Sequence, residues 1–133
     1  MKREFSAGGI VFKDGKVLLT KHSQNKSWSF PKGLIDPPQT SKEAAIREVK
    51  EEGGVEAEIV EKVGYSKYVY SLHGEKIFKV VTYFLMKYKS GDPKDHDWEV
   101  EEAGWYLPED ALKQLSFSQD KQLLKNALEI IEK

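Results

Sequence analysis

Apolar and polar residues alternate along much of this chain, and the alternation predicts a protein rich in β-strands. We expect strands over residues 5–12, 16–22, 55–70, 76–89 and 104–107, with a short extended piece at residues 28–33. Asp14-Gly15 and His73-Gly74 are dipeptides that favour tight turns, so each should close an antiparallel hairpin. The pair Gly8-Gly9 in the first strand indicates a close backbone approach or a bulge.

One helix is predicted near the middle of the chain, over residues 41–52. Thr40 and Glu43 have the spacing of a capping box at its start. Gly53-Gly54 is suited to a left-handed cap at its end. Its apolar side should face the sheet and should consist of Ala45, Ile46 and Val49, with the acidic residues on the other side.

Two further helices are predicted in the last quarter of the chain. Pro108 favours the first turn of one helix, and the other should begin at Ser118 or Gln119. The final helix has an apolar stripe at helical spacing that should face the core, formed by Leu123, Leu124, Ala127, Leu128 and Ile131. This order of elements predicts an α/β fold with a mixed β-sheet between helices.

Composition limits the class of protein. The chain has 133 residues, of which 39% are hydrophobic and 32% are charged, and we expect one soluble domain over residues 1–133, as a monomer or a homodimer. The net charge of −1 gives no support for an extended nucleic-acid footprint. The lack of cysteine fits a cytoplasmic protein. The most apolar stretch, residues 77–86, is too short to span a membrane.

Three carboxylates lie close together on the first predicted helix. Glu48, Glu51 and Glu52 are three and four residues apart, so their side chains should share one face. Because like charges repel, such a group needs a neutralising partner. Nearby lysines and Arg47 could pair with it as on an ordinary solvated helix. A divalent cation such as Mg²⁺, with Mn²⁺ as a possible substitute, would also neutralise it and would bind substrate phosphates.

The spacing around these carboxylates resembles the signature of the Nudix hydrolase family. That signature is a Gly, five residues, a Glu, seven residues, and then Arg-Glu-apolar-any-Glu-Glu-any-Gly-apolar. Gln39 stands at the position of the first Glu. The other positions match, and they are Gly33, Arg47, Glu48, Val49, Glu51, Glu52, Gly54 and Val55. The resemblance implies a Nudix α/β/α sandwich that hydrolyses a nucleoside diphosphate linked to another group.

The resemblance also implies roles for the signature residues. Glu48 and Glu52 match the main metal ligands, and the Gly33 carbonyl matches a backbone ligand. Glu51 matches a carboxylate that binds a second metal ion or orders the attacking water. Arg47 matches an arginine that orients a carboxylate of the signature, so the catalytic set would be Arg47 with the three glutamates.

Residues outside the signature are candidates for the remaining contacts. Of the acidic residues before Trp105, Glu99 is the first choice for an additional metal ligand. Lys32 directly precedes the signature glycine, and Lys79 lies in an apolar strand, where a lysine often lines a cleft. Both lysines are candidates for phosphate contacts. Among the strand tyrosines, Tyr68, Tyr70 and Tyr83 are candidates for stacking on a base, with Tyr70 as the first choice, whereas the histidines are expected to be structural or exposed.

The identity of the substrate stays open at this point. Residues 6–9 and 28–33 resemble the diadenosine tetraphosphate hydrolase branch, which implies cleavage of this dinucleoside polyphosphate to ATP and AMP. Another nucleotide is an alternative, such as a nucleoside triphosphate, ADP-ribose or an RNA 5′ end. Gln39 keeps an acceptor oxygen but lacks the charge and basicity of Glu. A non-catalytic nucleotide-binding module is therefore the third interpretation.

Overall fold

One seven-stranded sheet lies at the centre of the protein in the computed structural model, which describes residues 1–132. The strands are β1 (Lys2–Lys13), β2 (Lys16–His22), β3 (Trp28–Ser29), β4 (Lys32–Leu34), β5 (Val55–Leu72), β6 (Glu75–Gly91) and β7 (Val100–Tyr106). The helices are α1 (Ser41–Gly53), α2 (Pro108–Gln114) and α3 (Ser118–Glu132), with a short 3-10 turn at Pro93–Asp95. Among residues 1–132, no helix is both long and apolar enough to cross a membrane.

The sheet is mixed, as the sequence predicted. Its order is β3-β2-β1-β6-β5, and β4 pairs with β1 while β7 pairs with β2. β1 and β6 run parallel, and the other paired strands run antiparallel. Both predicted hairpin turns are confirmed, because Asp14-Gly15 has φ angles of 49° and 77° and His73-Gly74 has φ angles of 50° and 78°.

Each face of the sheet covers its own hydrophobic core. Val17 and Leu19 of β2 pack in the core beneath α2 and α3, whereas Leu18 packs in the core beneath α1. On β6, Val81 likewise packs in the core beneath α2 and α3, whereas Phe84 packs in the core beneath α1. The protein is therefore an α/β/α sandwich, which confirms the predicted fold class.

The buried face of α1 differs from the prediction. Ile46 is exposed, and Ala44 is buried in its place with Ala45 and Val49. Each residue advances the helix by about 100°, so the buried side chains form a half-circle that also contains Glu48 and Glu52. The acidic group is thus divided, because Glu51 lies just outside this half-circle. The pattern of apolar residues did not predict this face correctly, because two of its buried positions are glutamates, which a sequence pattern counts as exposed.

Two other elements also depart from their predicted form. In α3, Ile131 is exposed and Ile130 packs against the core instead. β7 begins at Val100, four residues before the predicted Gly104, because its first half continues the ladder with β2. Glu99 therefore directly precedes a strand, which fixes its position relative to the sheet.

The close approach predicted at Gly8-Gly9 is confirmed. A Cβ atom on Gly8 would lie 2.4 Å from the carbonyl oxygen of Pro31, and one on Gly9 would lie 2.3 Å from the Met86 sulfur. The Gly9 N–H donates to the Pro31 carbonyl at 3.1 Å. These contacts hold β4, which carries Gly33, directly against β1.

Candidate active site

A cleft of about 360 Å³ opens where α1, β4 and the segment before β7 meet. It contains the five predicted metal ligands, both predicted phosphate-binding lysines and Arg47. The cleft is lined by His22, Lys32, Gly33, Leu34, Asp36, Arg47, Glu48, Glu51, Glu52, Lys79, Asp97 and Glu99. Residues far apart in the sequence are thus brought to one place by the pairing of β1 with β4 and β6.

Glu48 and Glu52 form a buried carboxylate pair at the base of the cleft. They are 7% and 8% exposed, respectively. The Glu48 carboxylate packs on the backbone of Gly33, where an added Cβ atom would lie 1.5 Å from its Oε2. The Glu52 Oε1 accepts a hydrogen bond from the Lys32 backbone N–H at 3.4 Å. Glycine is required at position 33 because any side chain there would occupy the place of the Glu48 carboxylate.

The environment of this pair disfavours two negative charges. Burial and repulsion by Glu52 raise the pKa of Glu48 to about 8, against a smaller opposing effect of Arg47. Burial raises the pKa of Glu52 to about 7, although Lys32 lowers it. A hard divalent cation would stabilise the ionised form of both groups. The two buried carboxyl groups have too little positive charge nearby to neutralise them when ionised. They therefore fit the predicted metal ion.

Arg47 connects the loop after β4 with α1. Its Nη1 donates to Glu51 Oε2 at 3.1 Å, and its Nη2 donates to the Leu34 carbonyl at 3.0 Å and to Gln39 Oε1 at 3.2 Å. This geometry agrees with the predicted orienting role of the arginine. Gln39 is not among the residues that line the cleft, so its side chain acts on the cleft through Arg47.

The predicted ligand set is only partly assembled. Within residues 1–132, no three acidic or histidine side chains stand close enough together to hold a metal ion as they are placed. Glu51 turns toward Arg47, and Glu99 reaches the cleft from the start of β7. Glu101 instead pairs with Lys21 at 3.1 Å outside the cleft, which favours Glu99. The ligand roles of Glu51 and Glu99 stay predictions.

We expect Mg²⁺ to raise the melting temperature of the protein. A cation that binds the folded pair of Glu48 and Glu52 stabilises the native state by mass action, by about 2.7 kcal/mol at a hundredfold excess over Kd. Thermal unfolding with and without Mg²⁺ measures this effect. The double variant Glu48→Gln, Glu52→Gln is the control and should show no shift. An equal shift in the double variant would mean that the cation binds elsewhere.

Two lysines place positive charge at the cleft. Lys32 Nζ donates to Ser29 Oγ at 3.1 Å, and the side chain also lies beside the buried pair. Lys79 is half-buried, and burial together with repulsion by Lys32 lowers its pKa. Two partly desolvated ammonium groups favour an anionic ligand. Their contact with phosphate stays a prediction.

A second cavity of about 240 Å³ adjoins the cleft and shares Lys32 with it. It lies between the sheet and the start of α3. Its aromatic walls are the partly exposed Tyr68 and Phe117, and we call it the aromatic pocket. The full lining is Asn25, Ser27, Lys32, Ser66, Tyr68, Val81, Tyr83, Phe117, Gln119 and Asp120.

Two of the tyrosines predicted to bind a base, Tyr70 and Tyr83, need correction. Tyr70 is absent from the lining of both the cleft and the aromatic pocket, and its hydroxyl donates to Glu4 Oε1 at 2.6 Å. It pairs with Ile77, nearer the hairpin turn, whereas Tyr68 pairs with Lys79 beside the cleft. Tyr83 is 1% exposed and packs edge-on against Phe30 with ring centroids 5.4 Å apart. It forms the floor of the pocket and offers no free face for stacking.

Asp120 is the acidic group of the aromatic pocket, and sequence reasoning missed it. It is 3% exposed, and burial raises its pKa to about 6 against a smaller effect of Lys32. Gln119 holds the start of α3 against β5, because its Nε2 donates to the Lys67 carbonyl at 2.7 Å and its Oε1 accepts from the Lys67 N–H at 2.8 Å. An aspartate in a first helical turn usually faces solvent and interacts with the helix dipole, so its type and position gave no signal.

We expect the variant Asp120→Asn to flatten the pH dependence of stability. The folded pKa of Asp120 is about 6 against an ordinary value of 3.8, so the folded protein holds this proton more tightly than the unfolded chain. Its contribution is therefore present below about pH 4 and is lost as pH rises through 6, on the order of 3 kcal/mol. Urea denaturation of both proteins at pH 4.5 and pH 7.5 measures the difference. Equal pH slopes would contradict the buried ionisable carboxyl.

Two further residues of the cleft were not chosen from the sequence. His22 was expected to be structural or exposed, but it lines the cleft at the end of β2. Asp97 was not proposed from the sequence, yet its N–H donates to the Glu51 carbonyl at 2.8 Å and the residue lines the cleft. The acidic run around residue 97 was the available signal for the second of these residues.

Comparisons with known proteins identify the family to which the chain belongs. The sequence pattern of the NUDIX domain matches residues 2–127. The putative mutator protein MutT4 of Mycobacterium tuberculosis is 31% identical over 140 residues, which cover 98% of this chain and 56% of that protein. The 8-oxo-(d)GTP phosphatase of Mycolicibacterium smegmatis is 31% identical over 133 residues, which cover 90% of this chain and 40% of that protein. The chain thus spans about half the length of these curated relatives.

A solved structure extends the similarity to three dimensions. The crystal structure of a C. elegans Ap4A hydrolase binary complex superimposes with a TM-score of 0.80 and 28% identity, over 97% of this chain and 98% of that one. The match to the NUDIX domain covers the whole sheet, the carboxylate pair and most of α3. On these grounds the chain belongs to the Nudix hydrolase family, as the spacing of its glutamates predicted.

Proposed function

We propose that this protein hydrolyses a pyrophosphate bond of a dinucleoside polyphosphate in the presence of Mg²⁺, with diadenosine tetraphosphate as the substrate and ATP and AMP as products. The observation that carries the proposal is the joining of the cleft to the aromatic pocket through Lys32. Carboxylates, ammonium groups and a site for a base therefore follow one another in space. The similarity to the C. elegans Ap4A hydrolase supports this choice of substrate.

Glu48 and Glu52 would hold the cation together with the Gly33 carbonyl, and Glu51 and Glu99 are candidates for further ligands. When bound, the cation neutralises the charge of phosphate oxygens and makes bound water a stronger nucleophile. Lys32 would bind the same phosphates from the side that adjoins the aromatic pocket. This arrangement fixes the polyphosphate chain relative to the carboxylates, as an in-line attack by water requires.

A carboxylate of the cleft has to accept the proton of the attacking water. Glu51 and Glu99 both line the cleft outside the buried pair. Glu51 pairs with Arg47 at 3.1 Å, so its carboxylate is already turned toward the arginine. Glu99 is therefore our first choice for this proton acceptor, and Glu51 is the second.

Asp120 favours a second candidate, the hydrolysis of a purine nucleoside triphosphate. An ionised carboxylate accepts hydrogen bonds from adjacent N–H groups, as found on the edge of a guanine. Adenine presents one donor and one acceptor, so it pairs instead with a protonated carboxyl. The pKa of Asp120, about 6, keeps this protonated form accessible. The name of the M. smegmatis relative points in the same direction.

A panel of nucleotides separates these functions. The purified protein is incubated with Mg²⁺ and diadenosine tetraphosphate, GTP, oxidised dGTP, ADP-ribose or an RNA with a 5′ triphosphate, and the products are identified by chromatography. ATP and AMP from the dinucleotide support the first proposal. Pyrophosphate and a nucleoside monophosphate, formed in preference from a triphosphate, support the second.

Binding without turnover would instead support a non-catalytic module. In that case the variant Gln39→Glu tests whether the missing carboxylate is the cause. Gained activity in this variant would assign the defect to position 39. Continued inactivity would place it elsewhere in the cleft.

A further inference from the structure

Trp98 is unusually exposed for a tryptophan, with 79% of its surface accessible. It lies between the 3-10 turn and β7, beside the predicted ligand Glu99. Together with His22, Ser23 and Gln24, these two residues line a third cavity of about 260 Å³. A large apolar ring at the mouth of a cavity is a surface to which a flat ligand can bind.

The backbone on both sides of Trp98 is held in place. The Asp97 N–H donates to the Glu51 carbonyl of α1 at 2.8 Å. The Glu99 carbonyl accepts from the N–H of Ser23 at 3.0 Å and from its hydroxyl at 3.0 Å. The indole is therefore presented by an anchored segment, so stacking on it requires little ordering of the backbone.

The third cavity adjoins the cleft through other residues than the aromatic pocket does. It shares His22 and Glu99 with the cleft, whereas the aromatic pocket shares Lys32 with the cleft. Two cavities with aromatic side chains thus adjoin the cleft that carries the carboxylate pair and the lysines. A ligand with two bases joined by phosphates could place one base in each of them.

We propose that Trp98 is the stacking platform for the second base of a dinucleoside polyphosphate, the base that does not occupy the aromatic pocket. The inference rests on the proposed function and adds a specificity-determining residue to it. Any base can stack on an indole face, whatever hydrogen-bond donors and acceptors the base carries. A mononucleotide whose base occupies the aromatic pocket has no group that reaches Trp98, so this residue would select substrates with two bases.

The test compares two substrates that share one polyphosphate chain. Diadenosine tetraphosphate has two bases, and adenosine tetraphosphate has one. For the variant Trp98→Ala we expect the KM of the first to rise about tenfold and its kcat to change less than about threefold, with the KM of the second unchanged. Trp98→Phe should stay close to the wild type, because it keeps an aromatic face.

Tyr65→Ala is the matched control, since Tyr65 is also an exposed aromatic residue but lies on β5 outside all three cavities. It should leave both substrates unaffected. If Trp98→Ala raises the KM of both substrates alike, or of neither, the inference is overturned while the hydrolase assignment stands. Such an outcome would leave Trp98 as a candidate contact for a protein partner.

Equilibrium binding decides the case in which no dinucleotide is hydrolysed. The fluorescence of the wild type should be quenched by diadenosine tetraphosphate, and the additional quenching over adenosine tetraphosphate should be lost in Trp98→Phe. This result would support the inference even though the proposed reaction had failed. Equal quenching by both ligands, or no binding of the dinucleotide, would overturn it.

Discussion

Replacing Glu52 by glutamine should lower the turnover of diadenosine tetraphosphate by at least about 100-fold. Loss of a partner that merely supports a metal ligand already costs 10-fold to 100-fold, and Glu52 is a proposed ligand itself. The fold should survive, because the amide oxygen can still accept from the Lys32 N–H. Burial raises the pKa of the native carboxyl to about 7, so a neutral group should leave the metal-free melting temperature equal or higher.

Steady-state kinetics at saturating Mg²⁺ and thermal unfolding measure the two effects separately. Glu102→Gln is the matched control, since this exposed glutamate of β7 does not line the cleft. It should retain the activity of the wild type. A loss of only a few-fold in Glu52→Gln would contradict the ligand role of Glu52.

A single methyl group at position 33 should have a comparable effect on activity. In Gly33→Ala the new Cβ atom would lie 1.5 Å from Glu48 Oε2 and 2.7 Å from its Oε1, so the carboxylate has to leave its site. The displaced group is the end of a flexible side chain, and the backbone can stay in place. We therefore expect turnover to fall by about 10-fold to 100-fold, with little change in the free energy of unfolding.

The control for this variant is Gly104→Ala. A Cβ atom there would meet nothing nearer than a Tyr106 ring carbon at 3.8 Å, which is an ordinary contact. Turnover is measured for both variants, and urea denaturation gives their stability. Full activity in Gly33→Ala would show that Glu48 works from another position than the one described, which would remove the buried pair from the proposed site.

The parts of the fold predicted well from the sequence depend on local chemistry. Asp14-Gly15 and His73-Gly74 form tight turns because these residue types tolerate the positive φ angles that a two-residue hairpin turn requires. Thr40 caps α1 through a reciprocal hydrogen bond with Glu43. The spacing of the glutamates is likewise local, so the cleft could be anticipated from one segment.

The parts that escaped prediction depend on long-range registration. Tyr68 and Tyr70 lie on the same face of β5, so alternation cannot choose between them. The ladder runs without a shift from the His73-Gly74 turn and places Tyr68 opposite Lys79, but it is the parallel pairing of β6 with β1 that brings Lys79 to the cleft. The burial of Asp120 depends in a similar way on the packing of α3 against β5. Such positions follow from tertiary contacts and are not encoded in the residue types themselves.

The hydrogen bonds between the Gln119 side chain and the Lys67 backbone attach the start of α3 to β5, the edge strand of the sheet. One wall of the aromatic pocket is consequently set by an element that carries none of the proposed metal ligands. Mutations that tilt or shift this helix would widen or narrow the space for the base and leave the reacting groups in place. Substrate preference in this protein can thus diverge during evolution independently of catalytic rate.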